Sequence, residues 1–269
     1  MLETGIHQGM GLQGLAPQSA PRLVVMASHG DRDSELPLLW DLCAAWTDLG
    51  YTVVVLDATQ AEMPHRPGLL QLMDPRNQAE DMPHDRQDMH WSIYPAAKGM
   101  RQLFAETGAR TPAEPLGELE QLFQNYDVVL LYAPASMLAL RLSSSGIEPL
   151  LAVSGTGRSV LTAYQALKLL LLNGQLQPTI VSTVHTADQH SKAIAHNLNK
   201  SLQDCAMNFL GRQITTLSVD VQPTDDPAAR DANRLALRLL ESNTAPTWDQ
   251  SAPSWQTALD EHDHGKRSH

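Results

Sequence analysis

The chain has few cysteines, few phenylalanines and no concentration of positive charge. Two cysteines in 269 residues exclude a disulfide framework. Cys43 and Cys205 lie among apolar neighbours, as reduced buried thiols do. Nineteen basic against 30 acidic residues leave a net charge of -11. With no basic stripe, that balance argues against nonspecific binding to nucleic acid or to an anionic membrane. Long apolar runs are missing too: the leucines of 167–172 are interrupted by Lys168 and are too few to span a bilayer. Met1 to Gly14 has no basic segment followed by an apolar run, so no signal peptide is expected. These absences point to a soluble, cytoplasmic chain, and at 42 % hydrophobic it can bury a large core.

One absence is local. A strand at 22–27 is followed by Ser28-His29-Gly30-Asp31-Arg32-Asp33-Ser34-Glu35-Leu36-Pro37. A phosphate-binding loop at such a junction needs small residues that let backbone N–H groups close around phosphate, plus a lysine and a hydroxyl. This loop offers three acids and no lysine.

What is present alternates between strand and helix. Pro37 suits the first position of a helix whose apolar stripe is Leu38, Leu39, Leu42, Ala45 and Trp46, with Gly50 as its stop. Thr52 to Leu56 reads as a strand buried on both faces, closing a right-handed βαβ unit. Residues 58–92 read as a long polar loop with a short helix near Leu69 to Met73. Helices follow at 96–107 and 115–124, then strands at 127–132 and 149–153. A helix at 159–173 and a strand at 179–184 come next. Ile194, Leu198, Leu202, Cys205 and Phe209 place one apolar stripe on a helix over 188–210. A strand at 215–221 and a helix at 227–241 complete the pattern. The expected fold is α/β: a doubly wound, mostly parallel sheet flanked by helices, with ligands at the carboxyl ends of its strands. The organisation is a flexible arm over 1–21, an α/β domain over 22–242, and a polar, disordered tail over 243–269.

The order of parts resembles the MinD/ParA-type P-loop ATPases with a deviant Walker A motif, over about residues 22 to 241. Val53-Val54-Val55-Leu56-Asp57 looks like that family's second strand with its acidic end. Tyr126 to Ala135 looks like its Walker B strand and switch loop. Ser159-Val160-Leu161-Thr162-Ala163-Tyr164-Gln165-Ala166-Leu167-Lys168 is similar to a helix of the family, and Phe209-Leu210-Gly211 to the end of its long helix. Within the family, the branch governing flagellar number and placement (FlhG/FleN) is the most similar. Its N-terminal arm pattern is matched here at Gln8, Leu12 and Leu15 and departed from at His7, Gly9 and Gln13. The resemblance implies that this arm docks on a protein partner, a polar GTPase.

Counting back from Asp57, the family's catalytic lysine falls at Glu35, its magnesium-binding hydroxyl at Leu36 and its signature lysine at Gly30. Its glycines fall on Asp31, Arg32 and Ser34, its Walker B aspartate on Tyr132, and its adenine-reading asparagine on Ser182 or Thr183. Phosphoryl transfer works by positioning and charge neutralisation. The resemblance therefore implies a pseudo-ATPase with no catalytic residue, cofactor or metal. It would regulate the placement, number or assembly of a surface machine, most plausibly flagella, through protein–protein contact as a monomer or a nucleotide-independent dimer. A partner would recruit it to the cell pole or to the inner face of the membrane. The alternatives are a divergent active ATPase of the same family, or an accessory protein of exopolysaccharide secretion or pilus assembly.

Other constellations carry less. His65, His84 and His90 lack the short paired spacing of a zinc site, and so do His185, His190 and His196. Ser154 to Ser159 could bind an anion at a helix start, although a simple cap by Ser159 is the plainer reading. Trp248 and Trp255 read either as a partner-binding peptide or as unsupported residues.

Overall fold

The computed structural model describes residues 20–64, 68–74, 91–106, 112–184, 189–220 and 231–242. Its centre is a seven-stranded sheet: β1 (Arg22–Ser28), β2 (Val53–Asp57), β3 (Trp91–Pro95), β4 (Val128–Pro134), β5 (Leu150–Val153), β6 (Thr179–Val184) and β7 (Thr215–Asp220). The order is β3-β2-β4-β1-β5-β6-β7 and every pairing is parallel. This is the doubly wound α/β sheet expected from the sequence.

The strands are apolar runs because both faces are covered. Val25, Ala27, Val54, Leu56, Val129 and Leu131 face one core, which receives α2 (Leu69–Leu72), α3 (Ala97–Glu106), α4 (Ala113–Leu122), α5 (Ala135–Arg141), α6 (Gly157–Lys168) and α7 (Gln189–Leu210). The alternate residues Val24, Met26, Val53, Val55, Leu130 and Tyr132 face a second core that, among the described residues, is closed by only α1 (Arg32–Asp48) and α8 (Asp231–Ser242). Trp46 on α1 is fully buried and donates its indole N–H to the Ala236 carbonyl on α8 at 3.1 Å.

That unequal cover positions the site. The chain leaves β1 toward α1 on one face, whereas the flanking strands β4 and β5 lead to α5 and α6 on the other. Neighbouring connections thus diverge at the carboxyl end of β1, the usual place for ligands in such sheets. Parallel register brings Ser28 beside Pro134 and Asp57 beside Tyr132 at this edge.

Four elements differ from the sequence reading. Helix α1 starts at Arg32, not at Pro37, because the Asp31 carbonyl already accepts the amides of Ser34 and Glu35, both at 3.1 Å. Pro37 then lies inside the helix, and the residue four positions back, Asp33, is solvent-exposed, where water can serve its carbonyl. Strand β3 begins in the last two residues of the expected loop over 58–92 and runs on to Pro95, its half-buried Trp91, Ile93 and Tyr94 forming a parallel edge on β2. Helix α5 begins at Ala135, directly where a switch loop was expected. The helix expected over 159–173 is α6 followed by a π-turn, Leu169–Asn173; its N-cap is Thr156, whose hydroxyl accepts the Ser159 amide at 3.3 Å.

Candidate functional site

The β1–α1 loop is short, since β1 ends at Ser28 and α1 begins at Arg32. Gly30 turns it with φ of +90°, a left-handed conformation that glycine adopts without strain. The turn aims consecutive backbone amides at one point, and the side chain found there is Glu35, from the first turn of α1. Its Oε1 accepts the N–H groups of His29 at 2.7 Å, Gly30 at 3.1 Å and Asp31 at 3.3 Å. Its Oε2 accepts the Ser28 hydroxyl at 2.8 Å and the Tyr132 hydroxyl from β4. Glu35 is 0 % exposed. A buried charge is tolerable only when paired or richly hydrogen-bonded, and the positive end of the helix dipole adds to those five donors.

The surrounding groups tie this carboxylate into the sheet. Tyr132 is 1 % exposed; burial first, and then its bond to Glu35, pushes its phenol above the ordinary range, so the hydroxyl stays a donor. Its oxygen also lies 3.3 Å from Ser28 Oγ. His29 is buried beside Glu35, with Nε2 3.6 Å from Oε1. That Nε2 donates to the Ala152 carbonyl of β5 at 2.7 Å, while Nδ1 meets Thr162 Oγ1 of α6 at 2.8 Å. Elements β1, β4, β5, α1 and α6 thus meet around one acid.

The remaining positions marked by the resemblance are occupied differently. Asp57 is nearly buried but serves its own turn: Oδ1 accepts the Thr59 amide at 2.9 Å and hydroxyl at 2.6 Å, and Oδ2 accepts Gln60 Nε2 at 2.8 Å. Leu36 packs partly buried against the α1–α8 core and offers no polar atom. Ser182 is buried and donates to Asn199 Oδ1 at 2.5 Å, and Thr183 donates to the Val153 carbonyl at 3.4 Å. At the β5–α6 turn, Ser154 Oγ reaches Asp31 Oδ2 at 3.5 Å. Burial of Asp31 opposes ionisation, but hydroxyls of Ser159, Ser34 and Ser154, with His29 nearby, hold its carboxyl below the usual range. The turn that looked friendly to an anion therefore borders an ionised acid.

Glu35, Tyr132 and Gly30 come together; Asp57 lies across the sheet edge from Tyr132 and is bound elsewhere. Gln8, Leu12, Leu15, His65, His84, His90, His185, Trp248 and Trp255 lie outside the described residues. The sequence reading missed the roles of His29, Ser28 and Thr162. The available signal was a serine and a histidine at the end of a buried strand, followed by an acid in the first turn of a helix. Among the described residues, no group of three or more His, Cys, Asp or Glu side chains converges as a metal site would require, and no helix is long and apolar enough to cross a membrane.

No protein-family model and no curated protein sequence matches the chain. Solved structures do. The crystal structure of cobyrinic acid a,c-diamide synthase from Mycobacterium smegmatis, with bound ADP and magnesium, is 16 % identical with a TM-score of 0.53, over 82 % of this chain and 94 % of that one. The MinD cell division protein of Aquifex aeolicus is 13 % identical with a TM-score of 0.52, over 82 % of this chain and 97 % of that one. At such identities the likeness is one of fold. The chain shares the parallel α/β architecture of these two structures along almost their whole length.

Proposed function

We propose that the chain is a MinD/ParA-type protein that has kept the ATPase fold and given up nucleotide hydrolysis, acting instead through protein–protein contact. The observation that carries this reading is Glu35. It stands where the resemblance puts the catalytic lysine, and it is buried in the loop with its charge turned toward the loop amides. A triphosphate there would meet an acid where it needs a cation, and the loop's one cation, Arg32, is exposed. Tyr132, at the Walker B position, is held as a neutral donor and cannot organise magnesium as a carboxylate does.

The cellular assignment, regulation of the number or placement of a surface machine such as the flagellum, is supported by the arm pattern Gln8, Leu12 and Leu15 and by the order of family-like segments. Calorimetric titration with ATP and ADP, each with magnesium, tests the biochemical reading: no heat is expected at millimolar nucleotide. Saturable binding, or ATP hydrolysis abolished by Asp57→Ala, defeats it and makes the chain a divergent ATPase. Replacing Gln8, Leu12 and Leu15 together by alanine should abolish binding to a polar GTPase in a pull-down. Unchanged binding removes the arm from the mechanism.

A further inference from the structure

The loop at the end of β1 is not merely hostile to anions; it already holds one. Three consecutive backbone N–H groups, a serine hydroxyl and a tyrosine hydroxyl converge on two oxygens at the start of a 17-residue helix. That donor set recognises a phosphate or carboxylate oxyanion. We infer that Glu35 is the loop's own ligand, a tethered oxyanion that takes the place of a bound phosphoryl group and latches the ends of β1, β4 and β5 together without any nucleotide. The inference rests on the reading of the chain as a pseudo-ATPase and adds what replaces the nucleotide.

The latch has a definite reach. Glu35 Oε1 gathers the loop backbone, Oε2 gathers the serine of β1 and the phenol of β4, and His29, packed against the same carboxylate, carries the contact to Ala152 on β5 and Thr162 on α6. A protein that needs a nucleotide to bring these elements together exchanges between states as the ligand comes and goes. Here the ligand is covalently part of the chain, so its effective concentration is far above that of any free anion. The loop then stays closed, and free phosphate is kept out by occupancy rather than by repulsion alone.

Removing the tether should leave a vacant oxyanion site. In Glu35→Ala, the melting temperature is expected to fall by about 10 °C, as several buried donors lose their acceptor. Formate or inorganic phosphate at tens of millimolar should restore part of that loss, whereas chloride at equal ionic strength should not; the wild-type protein should respond to neither anion. A variant that melts like the wild type, or one that no anion restores, overturns the inference. Should Glu35→Ala fail to fold, amide exchange decides in the wild type and in Tyr132→Phe. The amides of His29, Gly30 and Asp31 should be protected in the wild type and exchange at least about tenfold faster in Tyr132→Phe. Fast exchange in the wild type, or no change in the variant, overturns the latch. A parallel ATP titration of the wild type keeps the two ideas apart: nucleotide binding defeats the pseudo-ATPase reading, while failed rescue without nucleotide binding defeats only the tethered ligand.

Discussion

Among the described residues, two buried glutamates sit at helix starts and do different work. Glu62, 3 % exposed, comes from the stretch after β2 and accepts the amides of Lys98 and Gly99, both at 2.6 Å, at the start of α3, while Lys98 Nζ returns to the Glu62 carbonyl at 3.0 Å. It fastens a loop to a helix that the loop precedes. Glu35 points the opposite way, from inside α1 back onto the loop before it, and collects hydroxyls from two strands as well. Both satisfy orphan amides and both face the positive end of a helix dipole. Only Glu35 does so at the sheet's switch point, where its donors come from elements that a ligand would otherwise join.

The comparison can be broken most severely at position 35. Glu35→Lys restores the residue type that the family resemblance puts there, yet it aims a cation at three amides in a slot with no exposure. Urea denaturation should show a loss of about 4 kcal/mol or more, or no folded protein at all. Retained stability together with gained ATP binding would show that the loop is a repairable phosphate site. Next comes Gly68→Ala, whose new Cβ would lie 2.5 Å from Glu62 Cγ and 2.7 Å from the Pro95 carbonyl oxygen. A loss of about 2–3 kcal/mol is expected from this overpacking, without effect on the β1–α1 loop amides. Spread of the disturbance to His29 or Gly30 in amide exchange would mean that the two glutamates are coupled.

Tyr132→Phe should cost about 1–2 kcal/mol, because Glu35 keeps four of its five donors. This change also isolates a pH effect. Burial and then the Glu35 bond raise the Tyr132 phenol above its ordinary value of 10.0, so the stability it contributes is complete below that pH and is lost as pH rises through the folded value. Tyr94, pushed up to about 12 chiefly by burial, adds to the same alkaline limb. Chemical denaturation from pH 9 upward should therefore fall more gently in Tyr132→Phe than in the wild type; parallel curves would show that Tyr132 does not titrate against folding. The smallest effect is expected at Asp31. Its carboxyl is held below the ordinary 3.8, so its stabilisation is present above that pH and disappears as pH falls. Asp31→Asn should flatten the acid limb of the stability curve, and an unaltered limb would assign it to other carboxylates.

The sheet and most helices were legible because buried parallel strands are long apolar runs. Val53–Asp57, Val128–Pro134 and Thr179–Val184 all lie where their β-branched and leucine content put them. The stripe from Ile194 to Phe209 likewise marked α7, although Ile194 and Phe209 remain exposed at its ends. Edge strand β3 was hidden, since a half-buried strand of five residues next to a polar stretch has too little pattern to declare itself. At the site, the identities of Glu35 and Tyr132 were legible and their orientation was not. Reading Pro37 as the first helical residue left Glu35 in a loop, where an acid looks like simple repulsion. Starting α1 at Arg32 places the same acid in the first helical turn, four residues after Asp31, where it can fold back on the amides it neutralises. The cross-strand donor Tyr132 follows from the register of β4 against β1 and β2, which no local pattern contains.

The thin cover on one face of the sheet bears on how the molecule is made. Helix α1, which carries Glu35, is roofed by α8, and its Trp46 waits for a carbonyl 190 residues further along the chain. During synthesis at roughly 5–20 residues per second, that partner trails by about 10–40 s. Through that interval the side of α1 that faces α8 lacks its roof. Contacts this distant in sequence also slow folding. The earliest-made part of the site is therefore among the last to be sealed, and the nascent chain offers a long window in which a chaperone, or another copy, can reach its apolar underside.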